Sequence, residues 1–149
     1  MRGPYRKRLV QNLPNFKNFK PSGVPRKMLT KIVLTLDEYE AIRLADYLKL
    51  EHLEASEKMK ISRPTFTRLI DKARQKIANV IIDGNELVIG GGNVDLKNTY
   101  YECRDCGDIQ ESPIEQQNES CPDCGSSNVE DKAPQFLNRN EDEKMKNNN

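Results

Sequence analysis

The four cysteines of this 149-residue chain fall in two matched pairs, Cys103-Arg-Asp-Cys106-Gly and Cys121-Pro-Asp-Cys124-Gly, with fourteen residues between them. Two thiolates at i and i+3 can grip one tetrahedral metal ion from a single tight turn. The glycine after each pair lets the backbone fold over the sulfurs and aim amides at them. Two such knuckles supply four sulfurs and leave no open position, which is the arrangement of a structural zinc site. One structural Zn2+ on Cys103, Cys106, Cys121 and Cys124 is therefore expected. Iron, which binds the same four thiolates, is the rival ion. A redox dithiol would need only one of the two pairs.

A second set of residues carries charge rather than sulfur. Residues 1–31 hold nine Lys and Arg and no acid. Residues 1–96 hold 18 basic and 11 acidic residues, a balance of +7, while residues 97–149 hold 6 and 12, a balance of −6. A basic arm can collect phosphates, so Arg6, Lys7 and Arg8 are candidate nucleic-acid contacts. The plainer alternative is a solvated leader.

The elements that position these residues can be read from spacing. Proline at 4, 14, 21 and 25 excludes a long helix from the arm, residues 1–28. A short apolar piece at 29–34 reads as a strand or lead-in. Thr35-Leu36-Asp37-Glu38 has the form of a capping box and starts a helix. A shorter helix fits about 52–59, then a break at Lys60-Ile61-Ser62. Ser62 is a good N-cap and Pro64 is tolerated in the first turn of the next helix. On that helix Phe66, Leu69, Ile70, Ala73, Ile77 and Ile81 share one face. The other face shows Arg63, Thr67, Arg68, Lys72, Arg74 and Lys76.

A short helix, a three-residue break and a longer basic helix form the layout of a helix-turn-helix. In that layout the exposed N-terminal half of the second helix faces the major groove. Ser62, Arg63, Thr65, Thr67, Arg68 and Lys72 are the candidate DNA contacts. Arg63 and Arg68 can each fork onto a guanine, worth roughly 1–3 kcal/mol of discrimination. Lys72, Arg74 and Lys76 suit phosphates. Lys60 stands where such turns usually have glycine, and Ser56 where alanine is usual.

The stretches Phe19-Lys20-Pro21-Ser22-Gly23-Val24-Pro25, Val33 to Asp46 and Lys58 to Arg68 resemble the prokaryotic family catalogued as domain of unknown function 134. The resemblance covers about residues 5–92. It implies a DNA-binding protein with a helix-turn-helix similar to region 4 of sigma factors, and it says little about the cysteine module.

The expected fold is mainly α: a three-helix helix-turn-helix domain at 29–92 behind the basic arm. A linker at 93–98, which Gly90-Gly91-Gly92 enters as a hinge, leads to a small β zinc ribbon at 99–131. A disordered polar tail follows at 132–149. The ribbon carries Asp105, Asp108, Glu111, Glu115, Glu119 and Asp123, so phosphates would repel it and a protein partner suits it better. The expected partner is double-stranded DNA, with homodimerisation through 86–96 as a further expectation. Catalysis is not expected. His52, the single histidine, reads as an exposed helix residue, and no phosphate-binding glycine loop is present. With no long apolar run or signal-peptide core, the chain reads as cytoplasmic and free of the membrane. The alternative function is a protein adaptor of the transcription machinery.

Overall fold

A computed structural model describes residues 7–137. The expectation of a mainly α protein is wrong. Among the described residues, four α-helices stand beside eight strands in three small sheets. Besides the strands expected at 29–34 and in the ribbon, the segments taken as arm and linker also form strands. The arm contributes β1 (Arg8–Val10) and β2 (Asn18–Phe19), the lead-in forms β3 (Lys31–Leu34), and the segment after the long helix forms β4 (Glu86–Ile89). The linker forms β5 (Val94–Leu96) and opens β6 (Asn98–Cys103).

β4 is the centre of the first sheet, antiparallel to β2 and parallel to β3, with Leu34 opposite Ile89. All four of its residues are buried, as expected for a central strand covered on both faces. The reading of 86–96 as a dimer surface therefore loses its first half to the interior. β1 and β5 pair in parallel, Val10 opposite Leu96. Arm, helices and linker thus share one core, in which Val10 and Leu13 of the arm are almost fully buried with Leu34, Leu36, Ile89 and Phe136.

Three helices pack on this frame. α1 (Leu36–Ile42) starts at the expected capping box: Thr35 Oγ1 accepts from the Glu38 amide, and Glu38 accepts from the Thr35 amide. It runs into one π-helical turn, Arg43–Tyr47. α2 (His52–Lys58) and α3 (Arg63–Asp83) follow. Ala41, Leu44, Ala55, Met59, Phe66, Leu69 and Ile70 close a second apolar cluster between the helices. The apolar face of α3 is as expected except at its end, where Ile81 is exposed.

The three glycines are not a hinge. Gly90 donates to Leu34 O, Gly91 donates to Phe136 O and accepts from Leu36, and both are buried. A Cβ on Gly92 would sit 2.9 Å from Asp37 Oδ1, at a φ of +95°. The left-handed backbone and the crowding by the Asp37 and Thr35 side chains favour glycine here. The expected disordered tail begins instead with a helix, α4 (Ala133–Leu137), whose Phe136 lies in the main core. The rest of that tail, 138–149, and Arg6 of the arm lie outside the described residues.

Candidate metal centre and nucleic-acid interface

The cysteine module is a three-stranded sheet. β6 lies between β7 (Ile109–Pro113) and β8 (Val129–Asp131), antiparallel to both. Cys103 ends β6 and Cys106 stands in the turn to β7, while the second pair occupies the loop before β8. The two knuckles repeat one geometry. Gly107 donates to Cys103 O and Gly125 to Cys121 O, each at 2.8 Å. Both glycines are left-handed, with φ of +79° and +75°. The Cys103 amide donates to Asp108 O at 2.9 Å and the Cys121 amide to Ser126 O at 2.8 Å. Asp105 clamps one knuckle to the other by accepting from the Ser126 hydroxyl and from the Asn128 amide group. These two bonds, Ser126 first, hold its carboxyl below the usual carboxylate range. The expected acidic face therefore loses Asp105 to a structural cross-link.

The four sulfurs all lie within 4.8 Å of one another, with Cys103 and Cys124 at 3.5 Å and Cys106 and Cys121 at 3.7 Å. A tetrahedron with metal–sulfur bonds of about 2.3 Å has edges of about 3.8 Å. The donor set fits one tetrahedral metal ion. The thiols also titrate as one interacting group. Amide hydrogen bonding, that of Cys106 first, pulls the Cys103 thiol down to about 7. At Cys106 the Asp108 amide also lowers the pKa. Desolvation and the hydrogen bonds with Cys124, Cys103 and Cys121 outweigh it and push the thiol up to about 12. One negative charge is welcome in this cluster and four are not, unless a metal ion neutralises them.

The candidate DNA contacts fall into two groups. Arg63, Thr67, Arg68 and Lys72 are exposed on the first three turns of α3, opposite the buried Phe66, Leu69, Ile70 and Ala73. Among the described residues, Arg63, Arg68 and Lys72 form no hydrogen bond or ion pair. Ser62 caps α3, its hydroxyl accepting from the Thr65 amide and donating to Thr65 Oγ1. Thr67 Oγ1 lies 3.1 Å from His52 Nδ1. The His52 ring is half-buried and stands edge-on to Phe66 at 5.3 Å, so it is a contact between α2 and α3 rather than the exposed residue expected.

The second group is tied into the fold. Arg8 donates to the buried Asp37 at 2.5 Å, and Lys7 lies 3.9 Å from Asp95. Arg74 forks onto Asp46 at 2.7 and 3.2 Å, a bond that raises its pKa. Lys76 donates to Glu38 at 2.6 Å and to Val33 O at 2.8 Å. Arg8 and Lys76 are therefore spent on acids that α1 buries, and Arg74 on the exposed Asp46 of the π turn. The signal was present in the sequence: Asp37, Glu38 and Glu40 share the first turns of a helix whose other residues belong in a core.

The chain matches the family described as "Protein of unknown function DUF134" over residues 1–97. A UPF0251 protein of Chloroherpeton thalassium is 61% identical over 128 residues, covering 86% of this chain and 85% of that protein. A 128-residue stretch of 149 necessarily takes in 103–124, so the similarity includes the cysteine module. UPF0251 proteins of Pelotomaculum thermopropionicum and Clostridium acetobutylicum are 45% and 40% identical over 83% and 87% of this chain, and over 92% and 90% of their own lengths. No solved structure matches. Among the described residues no helix is long and apolar enough to cross a membrane. With its signature stretches accounted for as the buried acid turns of α1 and the α2–α3 junction, this chain belongs to the DUF134 (UPF0251) family.

Proposed function

We propose that this protein binds duplex DNA through the N-terminal half of α3, as a transcriptional regulator. One observation carries the reading: Arg63, Arg68 and Lys72 stand exposed and unpaired among the described residues, on the half of α3 that buries Phe66, Leu69, Ile70 and Ala73. In the same fold Arg8, Arg43, Arg74 and Lys76 all sit on carboxylates. A protein that neutralises its bases where acids are at hand leaves these three free on the first three turns of α3. Free bases there suit a polyanion, and a helix fits the major groove. Arg63 and Arg68 are the base readers, Ser62 and Thr65 orient the first turn, and Thr67 and Lys72 hold sugar and phosphate.

The cysteines hold one Zn2+ in this reading. The bound ion would supply charge neutralisation and folding free energy, on the order of 10 kcal/mol or more. The exposed Glu111, Glu115, Glu119 and Asp123 make the ribbon a poor DNA ligand and favour a protein contact.

Selection from a random duplex pool, followed by metal analysis of the same preparation, tests both parts. The expected result is an enriched motif bound with a steep salt dependence, and one zinc per chain. Arg63→Ala with Arg68→Ala should abolish the sequence preference while leaving weak, salt-sensitive binding. No enrichment, or a double variant that still selects the same sites, would remove α3 as the reading helix and favour the adaptor reading. Iron in place of zinc would show as visible absorbance.

A further inference from the structure

Among the described residues, three helical segments end in a left-handed residue, and they do so with different residue types. α3 ends at Gly84, with φ +70°. The π turn ends before Lys49, φ +59°, and α2 ends before Lys60, φ +58°. These lysines are the two positive-φ residues other than glycine among the described ones. Around Lys60 the hydrogen bonds are those of a Schellman end: Ile61 donates to Ser56 O at 3.0 Å and Lys60 to Glu57 O at 3.1 Å. After Lys49, Leu50 donates to Leu44 O at 3.0 Å across the wider π turn. Glycine is the residue this geometry favours, because a Cβ there crowds the carbonyl. Lysine holds both places and keeps the strain.

The helix dipole does not explain the choice. α3 is the longest helix, and it ends on glycine with no base in its last turn. Internal pairing does not explain it either, since both lysines are exposed and unpaired among the described residues. Their position does. They stand at the two ends of α2, where the exposed acids Glu51 (its N-cap), Glu54 and Glu57 outnumber the one exposed base of the helix, Lys58. The helix before a reading helix crosses the DNA backbone. Here that helix would repel phosphates unless bases flank it.

We infer that Lys49 and Lys60 each contact a DNA backbone phosphate, one at either end of α2. The inference rests on the reading of α3 as the DNA helix. Both lysines position the protein on any duplex and read no bases.

Lys49→Gly and Lys60→Gly test this, measured by thermal melting and by binding to the selected duplex and to an unrelated one across a salt series. Each variant should melt no lower than the parent, because glycine relieves the strain. Each should bind both duplexes more weakly by a similar factor. Each should lose about 0.9 from the slope of log affinity against log salt. Lys60→Arg should keep the slope. Unchanged slopes in the glycine variants, with the parent still binding DNA, would overturn the inference alone, as would a loss confined to the selected duplex. A parent that binds neither duplex would overturn the α3 reading and this inference with it.

Discussion

The acids of α1 show how single residues hold this fold. Glu38 is 2% exposed; its Oε1 accepts from the Thr35 amide at 2.9 Å and from Lys76 at 2.6 Å, while Oε2 has no hydrogen-bond partner. Glu40 accepts from the Gln11 amide and from Arg43, which also donates to Gln11 Oε1 at 2.7 Å. Asp37 takes Arg8. Three carboxylates on one helix thus tie down the arm, α1 and α3. Removing one partner leaves a buried charge. Lys76→Met should cost on the order of 3 kcal/mol in urea unfolding, the low end for a buried pair, since Lys76 keeps 23% of its side chain in water. Adding Glu38→Gln should restore most of that, because the amide oxygen can still cap the helix. Exposed pairs behave differently. Glu130 is held below the usual carboxylate range, first by Arg104 and then by Lys132. A depressed folded pKa stabilises above the unfolded value, about 4.3, and that contribution is lost as pH falls through the folded pKa. NMR titration should place the Glu130 midpoint below that of a free glutamate, and Arg104→Ala should move it up, with Lys132 retaining part of the shift.

At the scale of elements, α4 is small but anchors a large span. Its five residues place Ala133 and Phe136 in the core formed by Val10, Leu36 and Ile89, and Phe136 O accepts from Gly91. Lys17 Nζ donates to Gln135 O at 2.9 Å from the other side. Phe136→Ala should lower stability by about 3–5 kcal/mol, as for other fully buried aromatics, read as a shift of the urea midpoint with unchanged slope. A loss of less than about 1 kcal/mol would show that α4 only rests on the core.

For the whole molecule, the ribbon and the α/β unit are linked twice. β5 runs into β6 with a single residue between them, and β8 runs into α4 in the same way. Tyr100 and Ile114 of the ribbon also pack against the main core. Loss of the proposed metal ion should therefore be felt beyond the ribbon. A chelator, or Cys103→Ser, should unfold the sheet of β6, β7 and β8 and also lower the melting temperature of the helical part, by no more than the Phe136 anchor is worth. Acid should act in the same direction, since metal binding requires all four thiols to lose their protons. Circular dichroism melts with and without chelator decide this; an unchanged helical transition would mean the two parts fold independently.

Much of this was legible in the chain itself. The two Cys-x-x-Cys-Gly knuckles, the Thr35 to Glu38 capping box, Ser62 as N-cap and the apolar face of α3 from Phe66 to Ala73 are all local patterns, and each stands where its spacing put it. Local spacing determines caps, turns and amphipathic faces because those contacts close within a few residues. The partners of the α1 acids were not legible, since Arg8, Arg43 and Lys76 look like any surface base until the fold brings a carboxylate to them. Nor were the strands of the arm: three residues at 8–10 and two at 18–19 carry too little pattern, and their pairing with 94–96 and 86–89 spans about seventy residues or more. Only the tertiary structure decided that arm, linker and tail belong to one core, and which bases were left free once every buried acid had claimed its own.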